Sequence, residues 1–129
     1  MTAQHTLAAR PATWPMQALR AVVVLHVVAL LFQSVTAGLL LSSPGGRALH
    51  MASAIALLAL GVAHLIAAIL VRWPGGGKGQ FIAPAALLVA FTVVAAILGE
   101  AGVKAVHVPL GVLLFGGGVA QLGRIMSRP

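Results

Sequence analysis

Four long apolar stretches, separated by short polar or glycine-rich breaks, make up most of the chain. A helix rises 1.5 Å per residue and the hydrocarbon core of a bilayer is about 30 Å thick, so roughly 20 apolar residues are needed to cross it. The stretches that meet this length cover residues 19–41, 49–71, 81–99 and 103–122. The pattern therefore predicts an all-α, integral membrane four-helix bundle with up-down-up-down topology.

The breaks and the chain ends hold too few residues for an additional domain. The breaks lie at residues 42–46, 73–79 and 100–102. We expect a short N-terminal arm, a transmembrane domain and a C-terminal tail, at residues 1–17, 18–124 and 125–129. A cleaved signal peptide is an alternative for the first stretch, because Val35-Thr36-Ala37 resembles a small-residue cleavage site. The apolar run continues past that site to Leu41, which favours a retained helix.

The distribution of Lys and Arg predicts which way the helices point. Six of these residues fall in the N-terminal arm, the second break and the C-terminal end, against two near the first and third breaks. Because cytoplasmic segments of membrane proteins are enriched in Lys and Arg, both termini are predicted to be cytoplasmic, in a multi-pass protein of the cell membrane. The six are Arg10, Arg20, Arg72, Lys78, Arg124 and Arg128, and the two are Arg47 and Lys104.

Composition agrees with a membrane protein and excludes several other classes. Of the 129 residues, 60% are hydrophobic and 7% are charged, and the mean hydropathy is +1.08, unlike the values of water-soluble domains. The net charge of +7 is spread over the ends of the apolar stretches, so binding to nucleic acid is not predicted. The chain has no cysteine, which excludes disulfides and thiolate metal ligands.

The scarcity of acidic residues restricts the chemistry further. Glu100 is the only one, which excludes catalysis by a pair of carboxylates. We expect Glu100 to form a solvated ion pair near Lys104. The glycine-rich break around Lys78 lacks the strand and the Ser or Thr of a phosphate-binding loop, and we interpret it as a linker. An electron-transfer protein or a redox subunit is favoured over a stand-alone enzyme.

Four of the five histidines lie within the apolar stretches and fall into two sets by depth. In the predicted topology His26 and His64 share a depth towards the cytoplasmic side, and we call them the inner pair. His50 and His107 open helices two and four at the other side, and we call them the outer pair. His50 and His64 are 14 residues apart, which returns to nearly the same helix face roughly 21 Å further along. One helix thus offers one imidazole to each of two stacked sites.

Histidines from facing helices at one depth in an apolar bundle are typical ligands of a haem iron. We expect the outer pair to bind one haem b, and the inner pair is the candidate site for a second. Gly111 and Gly118 share the face of His107 and would leave room for a flat ring. Arg47 and Lys104 lie where they could bind the propionates of the outer haem. The expected metal ligands are His50, His107, His26 and His64.

Other roles are open for these histidines. A histidine in a membrane helix often only hydrogen-bonds a neighbouring helix, as Gln33 and Thr36 could also do. Contact with a transferred proton or with a quinone is an alternative for the inner pair. Zinc bound by histidines alone is a further alternative, which the lack of thiolate or carboxylate ligands argues against.

The chain resembles two families of transmembrane haem proteins. The spacing of His50 and His64 on one helix resembles that of two-haem cytochromes b, in which one helix offers a ligand to a haem in each leaflet. Gln121 stands where that pattern would place a second histidine on helix four. The chain is also similar, over about residues 19–122, to a four-helix half of haem A synthase, where one histidine from each of two helices holds haem b. That similarity is carried by Leu25-His26, Gln33, Gly38, Leu49-His50 and Val106-His107-Val108-Pro109-Leu110-Gly111.

These features predict an integral membrane, b-type cytochrome-like protein that transfers electrons in a membrane redox chain. The alternative is a cofactor-free accessory or assembly subunit of a larger membrane complex. The expected partner is the lipid bilayer. Quinone, other respiratory membrane subunits and a second copy of the chain are further candidates.

Overall fold

Four helices form the part of the chain that the computed structural model describes, residues 13–128. A short 3-10 turn, Gly79–Phe81, precedes the third helix, and no strand occurs among these residues. Each helix is long and apolar enough to cross a membrane. The predicted all-α four-helix fold is confirmed. The helices are α1 Trp14–Ser42, α2 Gly46–Arg72, α3 Ile82–Glu100 and α4 Lys104–Met126.

Helices α1, α2 and α4 are longer than the apolar pattern indicated, and α2 begins at Gly46 rather than at residue 49. Helix α1 begins at Trp14 rather than near residue 19, because Pro15 occupies its first turn, where proline's missing N–H and fixed φ are favourable. Helix α4 continues to Met126, with Arg124 in the last turn, where a cation interacts favourably with the helix dipole. The predicted arm thus ends at residue 13, and residues 1–12, with Arg10, lie outside the described part.

The helices form a ring in which sequence neighbours are antiparallel. Helix α1 packs against α2 and α4, and α3 packs against the same two helices. Leu30 of α1 lies beside Gly118 of α4, and the two ends of these helices meet where Arg20 donates to the carbonyl of Arg128. The predicted up-down-up-down topology is therefore confirmed. We call the end with Trp14, Arg72 and Met126 the inner end, and the opposite end the outer end.

The exterior of the bundle is apolar along its whole length. Leu41, Ile55 and Leu113 are 81%, 71% and 70% exposed. Exposed apolar surface of this extent is unfavourable in water. It is compatible with a bilayer, because helices satisfy most of their backbone hydrogen bonds internally. The protein is a multi-pass membrane protein.

Packing of the interior differs between the two ends. The inner end holds a dense cluster, and a second cluster fills the middle. Towards the outer end, no apolar side chain of residues 13–128 is fully buried beyond Leu30 on α1, before Leu57 on α2, beyond Ala95 on α3 or before Leu114 on α4. Polar side chains occupy that region instead. The clusters comprise Leu19, Val23, Ala67, Ala68, Val71, Phe81, Ala85 and Ile125, and Leu30, Leu57, Leu88, Ala95 and Leu114.

Candidate functional site: two histidine pairs

The inner pair is a direct hydrogen bond between imidazoles. The Nδ1 atoms of His26 on α1 and His64 on α2 are 3.0 Å apart, and the ring centres are 5.3 Å apart with planes inclined at 78°. Both side chains are fully buried. One Nδ1 must carry a hydrogen and the other must accept it, since a neutral imidazole has one N–H and one lone pair. His26 and His64, which were predicted only to lie at the same depth in the membrane, are thus in direct contact in the structure.

The inner pair does not fit the second haem. Two imidazole nitrogens on opposite sides of a metal ion lie about 4 Å apart, because metal–imidazole bonds are about 2 Å long. At 3.0 Å the His26 and His64 nitrogens are in hydrogen-bond contact, with no space between them for a flat ring. The other side of the His26 ring packs on Gly61, where an added Cβ would lie 3.4 Å from Nε2. Both Nε2 atoms lack a hydrogen-bond partner among residues 13–128.

Gly118 does not provide room for a ring either. A Cβ added to Gly118 would lie 2.7 Å from Cδ1 of Leu30, which already fills the space beside it. This glycine instead permits close packing of α4 on α1, as small residues often do between membrane helices. Its expected role at a haem is therefore not supported by its surroundings.

The outer pair connects two helices that are diagonal in the bundle. His50 on α2 and His107 on α4 have ring centres 6.4 Å apart and planes inclined at 80°. Both residues are half-buried. The expected pairing across the bundle is present, and here the rings are separated rather than hydrogen-bonded to each other.

The side chain of His50 is held by the end of α1. Its Nδ1 lies 3.0 Å from Oγ1 of Thr36, and its Nε2 lies 3.2 Å from the amide nitrogen of Gln33. That amide nitrogen can only donate, so Nε2 accepts and Nδ1 donates to Thr36. Thr36 in turn donates to the Gln33 carbonyl at 2.9 Å, and Ser53 donates to the Gln33 side-chain oxygen. The α1–α2 hairpin thus fixes both the ring and its protonation.

A tight turn creates this arrangement. Gly45 adopts φ +84°, which favours glycine, and a Cβ on Gly46 would overlap the carbonyl of Leu39. Because the two helices approach so closely, residues 33 and 36 of α1 lie opposite residues 50 and 53 of α2. From the sequence, Gln33 and Thr36 were predicted only to contact a neighbouring helix. Their pairing with His50 could have been predicted by counting residues on each side of the turn, because α1 and α2 are antiparallel.

His107 is held by α3. Its Nδ1 donates to the carbonyl of Ala95 at 2.7 Å, and its ring lies against Gly99, where a Cβ would be 2.9 Å from Cε1. Since Nδ1 carries the hydrogen, Nε2 has the lone pair, and no side chain of residues 13–128 donates to it. The ring is fixed in position with its Nε2 available as a ligand. The contact between Gly99 and the His107 ring was not predicted from the sequence.

The cations expected at the outer pair lie at the outer rim. Arg47 pairs with Glu100 across α2 and α3, with Nη2 and Oε1 3.4 Å apart and both side chains mostly exposed. The partner of Glu100 is thus Arg47 and not the expected Lys104, which is the exposed first residue of α4. Gly111, one helical turn beyond His107, has no other atom within 4 Å of an added Cβ.

A zinc site is not supported by the clustering of ligands. Zinc sites in proteins use three or four protein ligands. Within residues 13–128 no group of three or more histidines, cysteines or carboxylates is close enough to hold a metal ion. The outer histidine pair can supply two ligands, a number that suits an iron already held by a porphyrin.

Comparisons of the chain with protein-family models, with characterised proteins and with solved structures find no match.

Proposed function

We propose that the protein is a membrane cytochrome of the b type that binds a single haem between His50 and His107 at the outer end of the bundle. The separation of the two rings is the observation that carries this proposal. Imidazoles on opposite sides of one iron have ring centres roughly 6 Å apart, from bonds of about 2 Å plus about 1 Å within each ring. The rings of His50 and His107 are 6.4 Å apart.

The hydrogen bonds of the two rings also suit metal ligands. A histidine that binds a metal through one nitrogen usually donates its other N–H to a protein oxygen, which fixes the ring. His107 donates Nδ1–H to Ala95, and His50 donates Nδ1–H to Thr36. The ligand atom would be Nε2 in both cases, and Gln33 would give up its contact with His50 when iron binds.

The outer end of the bundle holds less buried apolar packing than the inner end. The outer third of the interior lacks fully buried large apolar side chains, and a Cβ added to Gly111 would meet no other atom within 4 Å. Arg47 and Lys104 at the rim would bind the propionates. Bound haem would accept and release one electron at this end. No second haem is proposed at the inner pair, so electrons would enter and leave within the outer half of the membrane.

An absorption spectrum of the purified protein tests this proposal. We expect haem b bands in the reduced-minus-oxidised spectrum at one haem per chain, and loss of the bands in His50→Ala and in His107→Ala. The matched control is His64→Leu, which breaks the inner pair and should keep one haem. If both outer variants retain haem, or if the control also loses it, the ligand assignment is wrong.

A second function is favoured by the complete hydrogen bonding of His50. Both of its ring nitrogens have protein partners, so the residue can serve as a tie between α1 and α2 in a cofactor-free accessory subunit. In that case the protein purifies without colour after expression with ample haem. His50→Ala would then lower the stability of the bundle without any spectral change.

A further inference from the structure

A groove follows the exposed seam between α3 and α4 from the inner end towards the middle of the bundle. Leu88 and Phe91 of α3 and Leu113 of α4 form its apolar walls, and Gln121 and Arg124 close its inner end. A second apolar depression shares Phe91, Leu110 and Leu113 with it and continues towards the outer end. The seam therefore offers a long apolar track with polar groups at one end only.

Gln121 is the unusual member of this groove. Its side chain is 5% exposed, and its Nε2 has no hydrogen-bond partner among residues 13–128. Buried polar groups are nearly always hydrogen-bonded, and an amide nitrogen can only donate. Gln121 therefore brings an unsatisfied amide to the wall of the groove, and a ligand with an acceptor oxygen below the membrane surface would satisfy it once the side chain turns towards the groove.

Arg124 places a positive charge three residues further along the same helix, roughly 4.5 Å nearer the surface. Its side chain is exposed, and its guanidinium makes no hydrogen bond to another residue of the described chain. The other inner-end arginines are engaged: Arg20 donates to Arg128, Arg128 to Gln80, and Arg72 stacks on Trp73. The chain's one acidic residue, Glu100, lies at the outer end. An anion is therefore the complementary ligand at this rim.

We infer that the α3–α4 groove binds one anionic phospholipid. The phosphate contacts Arg124, an ester carbonyl accepts a hydrogen bond from Gln121, and an acyl chain lies along Leu88, Phe91 and Leu113. Phosphate and ester carbonyls are a few bonds apart in a glycerophospholipid, which matches the short step between the two side chains. Basic pockets between membrane helices are typical sites for anionic headgroups. This lipid site is independent of haem binding at the outer end.

Fluorescence quenching tests the site in vesicles. The full chain carries Phe91→Trp as reporter, with Trp14 and Trp73 replaced by Phe, in phosphatidylcholine containing brominated phosphatidylglycerol or brominated phosphatidylcholine. We expect the brominated phosphatidylglycerol to quench at a lower mole fraction. Because one surface cation contributes about 1 kcal/mol to binding an anionic lipid, Arg124→Gln should weaken this preference about fivefold.

Two matched variants separate the site from general surface charge and from other ligands. Lys78→Gln removes one cation at the same end outside the groove and should leave the preference intact. Gln121→Leu should raise the mole fraction that either lipid needs for quenching, because both lipids carry the ester carbonyl. Equal quenching by the two lipids, or equal losses in Lys78→Gln and Arg124→Gln, overturns the inference. A preference that is kept in Arg124→Gln also overturns it, since Arg124 would then not be the residue that distinguishes the anionic lipid.

A measurement on the wild-type chain avoids the reporter substitution. Native mass spectrometry in detergent, with equal amounts of phosphatidylglycerol and phosphatidylcholine of the same acyl chains, should retain one phosphatidylglycerol per protein. Retention of both lipids in equal amounts contradicts a specific site.

Discussion

His26 and His64 share one proton in a fully buried hydrogen bond, with their Nδ1 atoms 3.0 Å apart. This bond joins α1 to α2 through the two Nδ1 atoms, and neither Nε2 atom has a hydrogen-bond partner among residues 13–128. The inner pair therefore ties α1 to α2 within the membrane-spanning part of the bundle. The rings of the outer pair are instead 6.4 Å apart and are not hydrogen-bonded to each other.

The inner pair should show strong coupling between its two members. Replacing either histidine by leucine leaves the other buried and unpaired, so His26→Leu and His64→Leu should each lower the free energy of unfolding by about 1–3 kcal/mol. The double variant replaces both with apolar groups and should be less destabilised than the sum of the singles. Unfolding in mixed micelles, followed by circular dichroism, measures these differences. Additive losses would contradict a direct interaction.

Gly99 should tolerate no side chain. In Gly99→Ala the new Cβ would lie 2.9 Å from the ring of His107, which its bond to Ala95 holds in place. Displacing the ring breaks that bond, so we expect a loss of about 1 kcal/mol in unfolding free energy and a lower haem content. Gly116→Ala on α4, where nothing lies within 4 Å, is the control and should be neutral or slightly stabilising. Equal behaviour of the two variants would show that His107 is not anchored as described.

Thr36 should matter for the cofactor more than for the fold. Thr36→Val keeps the shape of the side chain but removes the acceptor of the His50 N–H. Loss of such a supporting contact typically lowers metal affinity about tenfold to a hundredfold, and we expect a weakening in this range when haem is titrated into the apoprotein. Thr92→Val is the matched control, because the Thr92 hydroxyl bonds only to the Leu88 carbonyl of its own helix. An unchanged haem affinity in Thr36→Val argues against ligation by His50.

The sidedness of the bundle can be mapped directly because the chain has no cysteine. Single cysteines at Lys78 and at Lys104 lie at the inner and outer ends and can be labelled with a membrane-impermeant maleimide. With cytoplasmic termini, Lys104→Cys should react in intact cells and Lys78→Cys only after permeabilisation. The reverse result would invert the predicted orientation, and labelling of both in intact cells would contradict a spanning bundle.

Most of the fold could be predicted from the length of the apolar stretches. Inside a bilayer the backbone must satisfy its own hydrogen bonds, so an apolar stretch of about 20 residues crosses as a helix. The same reasoning placed His26 with His64 and His50 with His107, since depth in a bundle depends only on position along each helix. The ends of the helices were predicted less accurately than their number and order. Pro15 extends α1 into residues that a hydropathy criterion counted as an arm.

Distances between side chains could not be obtained from the sequence. Depth did not distinguish the 3.0 Å contact of the inner pair from the separated rings of the outer pair. It also did not reveal that Leu30 fills the space beside Gly118, or that Glu100 reaches Arg47 on another helix. Each of these depends on rotation of a helix about its axis and on which neighbour it meets, and both are properties of the assembled bundle.

The ion pair between Arg47 and Glu100 has a consequence for the molecule as a whole. It neutralises one of the two cations at its end of the bundle, while Arg20, Arg72, Lys78, Arg124 and Arg128 at the other end have no anionic side chain beside them in the described residues. The protein is thus an electric dipole aligned with the membrane normal. A transmembrane voltage that is negative on the arginine-rich side would hold it in one orientation.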